Sequence, residues 1–204
     1  MPKPQPTSDL PALTFATYRD FESWLETNHA TERGIRVRFA KAGTGIQSIK
    51  YAEALEVALR WGWIDSQSRR VDDTWYDQKF TPRGPRSIWS KINCEKVTAL
   101  IAAGRMAPAG LAEVERAKKD GRWDRAYDSP SNATVPDDLA AALAGSKRAA
   151  KAFETLDSRN RYAILHRIQT AKKPETRAKR IADFVSMLAR GDTLYPPPKA
   201  AARQ

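Results

Sequence analysis

The apolar residues of this chain change period along its length, and that change limits what it can fold into. Around residue 37, Ile35, Val37 and Phe39 alternate with Arg36 and Arg38. A period of two describes a strand with one dry face and one wet face. After Asn93 the spacing becomes helical and stays so: Val97, Leu100 and Ile101, then Leu111 and Val114, and finally Ile181, Val185 and Leu188 with Phe184 at the edge of the stripe. Strands first and helices afterwards predict an α+β fold: a small mixed β-sheet with flanking helices, followed by a helical C-terminal subdomain.

Local signals place the elements. Thr17 is suited to cap a helix running to about His29, with Phe21, Trp24 and Leu25 on its buried stripe. A second helix is expected from about Ile49 to Arg60, stopped by Gly62. Strands fit Trp63–Ser68 and Thr74–Thr81, turned near Asp72 and Asp73 into an antiparallel hairpin. The strand–helix–strand step before them predicts a right-handed crossover within one sheet. Asn93 reads as the cap of the next helix, ended by Gly104, and another runs from near Pro108 to Gly121. Four more helices are expected over Pro136–Leu143, Lys147–Leu156, Arg159–Ala171 and Pro174–Ala189, with Pro136 and Pro174 suited to first turns. The organisation is then a disordered proline-rich lead (1–13), an α+β domain (14–126), a polar linker (127–135), a helical subdomain (136–190) and a disordered tail (191–204).

Charge narrows the classes of partner. With 35 basic against 24 acidic residues the net charge is +11, which favours nucleic acid, phosphorylated metabolites or an anionic membrane surface. No apolar run approaches the roughly 20 residues that span a bilayer. The opening Met1-Pro-Lys-Pro-Gln-Pro lacks the apolar stretch of a secretory signal, so a cytoplasmic location is expected. A single cysteine, Cys94, excludes an internal disulfide framework. Two histidines and one cysteine offer no zinc-type ligand set, and neither metal nor cofactor is expected.

The richest stretch for chemistry is Trp61-Gly-Trp63-Ile-Asp65 together with Arg83-Gly-Pro-Arg86-Ser-Ile-Trp89-Ser-Lys91-Ile-Asn93. On a strand Trp63 and Asp65 point to the same face, and a carboxyl beside an indole is suited to proton transfer or to a structural hydrogen bond. Arg83, Arg86 and Lys91 form a candidate anion site in a loop stiffened by Pro82 and Pro85; the alternative is that the arginines pair Asp65, Asp72, Asp73 or Asp77 and lock the loop. The candidate ligand-binding set is therefore Trp63, Asp65, Arg83, Arg86, Trp89 and Lys91, with Asp65 the candidate acid or base if a reaction is catalysed. Gly43-Thr44-Gly45 lies between strand and helix, but without a third glycine or a following Gly-Lys it reads as a tight turn. Cys94 lies near a helix start, which lowers a thiol pKa, whereas burial makes a thiol inert. In the last helix Lys172, Lys173, Arg177 and Arg180 form a basic patch, with Lys179 and Arg167 extending it, suited to a phosphate backbone, a membrane surface or simply solvent.

These runs also carry a resemblance. Ser48-Ile-Lys-Tyr51-Ala-Glu-Ala-Leu, Gly62-Trp-Ile-Asp65, Phe80-Thr-Pro-Arg83, Arg86-Ser-Ile-Trp-Ser-Lys91-Ile-Asn93, Gly104-Arg-Met-Ala-Pro-Ala-Gly110, Gly121-Arg-Trp123 and Ala171-Lys-Lys-Pro-Glu-Thr-Arg177 resemble the YdeI/OmpD-associated family, over about Phe15 to Arg190. The resemblance implies bacterial stress tolerance, including protection against bacteriocins, and association with an outer-membrane porin. It supplies no catalytic residue. Three function classes follow: a protein that binds an anionic small molecule or peptide through the Trp61–Asn93 region, an enzyme using Asp65 with Arg83 and Arg86, or a nucleic-acid or membrane binder acting through its basic C-terminal helices.

Overall fold

A computed structural model describes residues 10–196. In chain order the elements are β1 (Ala12–Thr14), α1 (Tyr18–Asn28), β2 (Ile35–Ala40), α2 (Tyr51–Arg60), β3 (Trp63–Arg70), β4 (Trp75–Pro82), α3 (Lys91–Ala102), α4 (Pro108–Lys119), α5 (Asp137–Ala144), α6 (Lys147–Glu154), α7 (Ser158–Gln169) and α8 (Pro174–Arg190). They form an α+β structure whose chain divides into two compact units. One comprises the residues up to Trp89 together with Asn93–Asp124, and the other Ser90–Ile92 with the chain from Arg125 onward.

The first unit holds a four-stranded mixed sheet in the order β1-β2-β4-β3. β1 runs parallel to β2, while β2–β4 and β4–β3 are antiparallel. Strand β1 lies partly within the stretch expected to be a disordered lead. Three residues carry no readable period, and what makes them a strand is pairing with β2, Leu13 opposite Val37. Of that expected lead, residues 1–9 lie outside the described residues, as do 197–204 of the expected tail.

The alternation in β2 works as its sequence predicts. Ile35, Val37 and Phe39 are buried against Phe21 and Leu25 of α1, Ala54, Val57 and Ala58 of α2, and Trp63 and Phe80 of the neighbouring strands. Helix α1 begins in a reciprocal capping box: the Thr17 hydroxyl accepts from the Asp20 amide at 3.3 Å, and the Asp20 carboxylate accepts from the Thr17 amide at 2.8 Å. Helix α2 ends at Gly62, whose φ of +74° favours glycine. Beside it α4 approaches so closely that a Cβ on Gly110 would lie 2.1 Å from the Arg60 carbonyl oxygen.

Helix α3 starts at Lys91, so Asn93 lies in its first turn and is not its cap. Its buried residues are Val97 and Leu100, and those of α4 are Gly110, Val114 and Ala117. Ile101 and Leu111, which belong to the apolar spacing of these helices, are 38 % and 40 % exposed. Each helix buries a stripe narrower than its apolar spacing allows, and periodicity does not say which edge of a wide stripe is left in water.

The second unit is helical. Leu139, Leu143, Phe153, Ile164, Leu165, Ile168, Ile181, Phe184 and Leu188 form its core. Ser146 caps α6 and Asp157 caps α7, each accepting from the amide three residues on. Pro174 opens α8, and Gly191 closes it at φ +85°. The polar stretch 127–135 is fastened within this unit. The Lys91 amide donates to the Tyr127 carbonyl at 2.9 Å, the Lys91 ammonium pairs Asp128 at 2.7 Å, and the Tyr162 hydroxyl donates to the Asp128 carbonyl at 2.9 Å. Among the described residues no helix is long and apolar enough to cross a membrane.

Candidate functional site

The arginine–tryptophan stretch is built inward. Trp63 is 1 % exposed; it meets Trp24 edge-on at 5.9 Å and donates its indole N–H to the His29 carbonyl at 3.2 Å. Trp89 is likewise 1 % exposed and packs on Trp123 with ring centroids 5.0 Å apart. Arg83 is 4 % exposed, lies 3.5 Å over the Trp89 ring, and donates to the Ile88 carbonyl at 3.2 Å. A guanidinium stacked on an indole and bonded to the backbone of its own loop holds that loop's shape. Nearby, Arg122 pairs Asp120 at 2.8 Å and donates to the Ser87 carbonyl at 2.9 Å. Lys91 is spent on Asp128, and Arg86 is exposed to solvent.

The aspartates named as possible locks for the loop have other tasks. Asp77, fully buried, bridges Arg38 at 2.9 Å and Arg69 at 2.8 Å; burial pushes its carboxyl up, and the two arginines outweigh burial and hold it below the usual carboxylate range. Asp72 accepts from the amides of Thr74 and Trp75, which closes the hairpin turn, and Asp73 pairs Arg70. Asp65 accepts from the Tyr51 hydroxyl at 2.8 Å and from the Gln78 amide at 3.1 Å. Burial pushes the Cys94 thiol up to about 11, which leaves it protonated at neutral pH.

A cavity of about 370 Å³ borders the Gly43-Thr44-Gly45 loop and is walled by Lys41, Lys50, Tyr51 and Tyr76. Three more border residues of the helical unit, and Trp63, Asp65, Arg83, Arg86, Trp89 and Lys91 line none of these. One of them encloses about 650 Å³. Helix α7 supplies Ser158, Arg159, Tyr162, Ala163, His166, Arg167 and Thr170, and Pro130, Arg180 and Tyr195 complete the wall. Three guanidiniums border it and no carboxylate does.

Several of its side chains are held by neighbours. Arg167 donates to the Ala163 carbonyl at 3.1 Å and to the Tyr195 hydroxyl at 3.2 Å, and Arg180 donates to the Arg167 carbonyl. Arg159, an exposed residue of the cavity rim, lies 4.1 Å over the Tyr195 ring. Tyr195 itself is clipped by Asn160, which accepts from its amide at 2.9 Å and donates to its carbonyl at 3.2 Å. The guanidinium of Arg167 holds the Tyr195 phenol below the ordinary tyrosine value. Burial, then the charges of Arg167 and Arg180, hold His166 below its ordinary value, so its imidazole is neutral at pH 7. The arrangement offers fixed positive charge, aromatic walls and a neutral imidazole, a combination suited to a small anion with a flat apolar part.

Of the basic C-terminal residues, Arg180 lines this cavity, while Arg177 is turned to Asp138 at 2.6 Å and to the Ile168 carbonyl at 3.1 Å. Lys172 and Lys173 stay exposed, Lys173 as the residue preceding α8. The sequence places Arg167 and Arg180 in a basic patch and does not single out Arg159, Tyr162, His166 and Tyr195 as a set. One signal was present: Arg159, Tyr162, Ala163, His166, Arg167 and Thr170 recur at helical spacing, opposite Ile164, Leu165 and Ile168. Tyr195 had none, because it arrives from beyond α8. Among the described residues no group of three or more His, Cys, Asp or Glu could hold a metal ion.

Comparison with known proteins agrees with the division of the chain. Residues 132–191 match the family described as bacteriocin-protection, YdeI or OmpD-associated. Residues 13–113 match a domain of unknown function (DUF8412). The likeness read over nearly the whole folded chain is thus carried by that family over the helical part, and the sheet-bearing part matches a different domain. No curated protein and no solved structure gave a significant match.

Proposed function

We propose, for a chain whose residues 132–191 form a YdeI/OmpD-associated, bacteriocin-protection domain, that the helical unit binds an anionic small molecule or a peptide carboxylate. The observation that carries this reading is a cavity of about 650 Å³ bordered by Arg159, Arg167 and Arg180 and by no acid. Its volume falls within the ~300–1,000 Å³ of small-molecule sites. A charge-assisted hydrogen bond contributes about 1.5–3 kcal/mol, so two arginines account for micromolar binding when the aromatic walls bury the rest of the ligand. The sequence reading looked for this basic concavity in the Trp61–Asn93 region. What favours the helical unit is that its guanidiniums face a cavity, whereas Arg83 is stacked on Trp89.

Benzoate and phenyl phosphate are suitable probes, titrated by calorimetry into wild type, Arg159→Ala, Arg167→Gln and Arg86→Ala. Arg159→Ala and Arg167→Gln should each weaken binding at least tenfold, and Arg86→Ala should leave it unchanged. Equal loss in all three, or loss in Arg86→Ala alone, would sink the assignment and return the site to the loop.

A further inference from the structure

The helices α1 and α2 pack on one face of the sheet, and the opposite face carries charge arranged in rungs. On one rung Arg38 of β2 lies opposite Asp77 of β4, which lies opposite Arg69 of β3. The two arginines reach the same carboxylate at 2.9 and 2.8 Å, and Asp77 is fully buried between them. Two residues along, on the same face, Arg36 lies opposite Lys79. Facing residues on adjacent strands have Cβ atoms roughly 4.5–5.5 Å apart, and like charges so placed repel.

Arg36 is only 7 % exposed, its Nε and Nη1 are buried, and neither has a hydrogen-bond acceptor. Among the described residues Arg36 and Lys79 make no side-chain hydrogen bond or ion pair, and no carboxylate does for them what Asp77 does for Arg38 and Arg69. A charged group buried without a partner is strongly unfavourable, and a second cation beside it adds to the cost. We infer that the Arg36–Lys79 rung is a binding site for a single phosphate group, as inorganic phosphate or the terminal phosphate of a small ester. The phosphate oxygens take the role that the Asp77 carboxylate has one rung away. They accept from the Arg36 guanidinium and from the half-buried Lys79 ammonium, whose flexible stem lets the anion in. The site lies in the sheet-bearing unit and is independent of the cavity in the helical one.

The test is thermal unfolding in a buffer free of oxyanions, followed by tryptophan fluorescence, with inorganic phosphate titrated against chloride at matched ionic strength. All six tryptophans (Trp24, Trp61, Trp63, Trp75, Trp89 and Trp123) belong to the sheet-bearing unit, so the signal reports on the unit that holds the proposed site. The Tm of wild type should rise saturably with phosphate. Arg36→Met should melt above wild type without phosphate, because the unpartnered charge is gone, and should not respond to phosphate. Lys79→Ala should fold normally and need at least tenfold more phosphate for half the shift. The same wild-type response should persist in Arg159→Ala/Arg167→Gln. A phosphate response that survives Arg36→Met, a phosphate-insensitive wild type, or a response to a single-stranded oligonucleotide but not to phosphate each overturns the assignment.

Discussion

Two arginine–aromatic clusters in this molecule have nearly the same ingredients and opposite dispositions. In the loop after β4, Arg83 lies on Trp89, both are almost fully buried, and the guanidinium serves a carbonyl five residues on in its own loop. In the helical unit Arg159 lies on Tyr195 in the same way, but the tyrosine is half-buried and the arginine borders open volume. Residue type does not separate the two; what the far side of the guanidinium faces does. A stacked arginine bounded by protein is a structural element, and one that borders a cavity is what the proposed anion site requires.

The comparison can be broken most forcefully at Trp89. Its replacement by alanine should destabilise the sheet-bearing unit by about 3–5 kcal/mol, the usual cost of emptying a large aromatic position, with Arg83 left unstacked in addition. Urea unfolding followed by tryptophan fluorescence measures this. A loss below about 1 kcal/mol would mean that the loop is not held by its indole.

Acid should separate the two units more gently. His166 is depressed in the folded state, so its contribution is complete above the unfolded value near pH 6.5 and is lost as pH falls through the folded value. Asp77 is also depressed, so its contribution persists down to the unfolded value near pH 3.9 and is lost only below that. The helical unit should therefore soften first, seen in the His166 and tyrosine NMR signals as pH falls below about 6.5. Tryptophan fluorescence should not change until below about pH 4. Simultaneous loss of both signals would show that neither titration controls its unit.

The smallest effect is expected at Arg86. Arg86→Ala should change stability by less than about 0.5 kcal/mol, as an exposed loop cation does. A larger loss, measured in the same urea experiment, would show that the loop's second arginine has a structural role like the first.

Much of the fold was legible because it rests on local rules. The alternation in β2, the Thr17 cap, the Gly62 stop and the first-turn Pro174 all act within a few residues of themselves. Strand β1 was not legible, since three residues become a strand only against β2. The cavity was half legible. One face of α7 shows its arginines and aromatics in the sequence, yet a helix face reads the same whether it meets water or a hollow. Tyr195 reaches that hollow by a path no local pattern encodes. The loop misled for a related reason: tryptophan and arginine are enriched both at binding sites and in buried stacks, and only burial tells them apart.

The Asn160 clip on Tyr195 has a further consequence. Asn160 holds residue 195 by its backbone amide and carbonyl alone, so the chain stays in position whatever side chain that residue bears. The ring that faces Arg159 and Arg167 is therefore an exchangeable part on a fixed mount. Exchanging the phenol for a phenyl here removes the hydroxyl that Arg167 reaches and leaves the backbone clip in place.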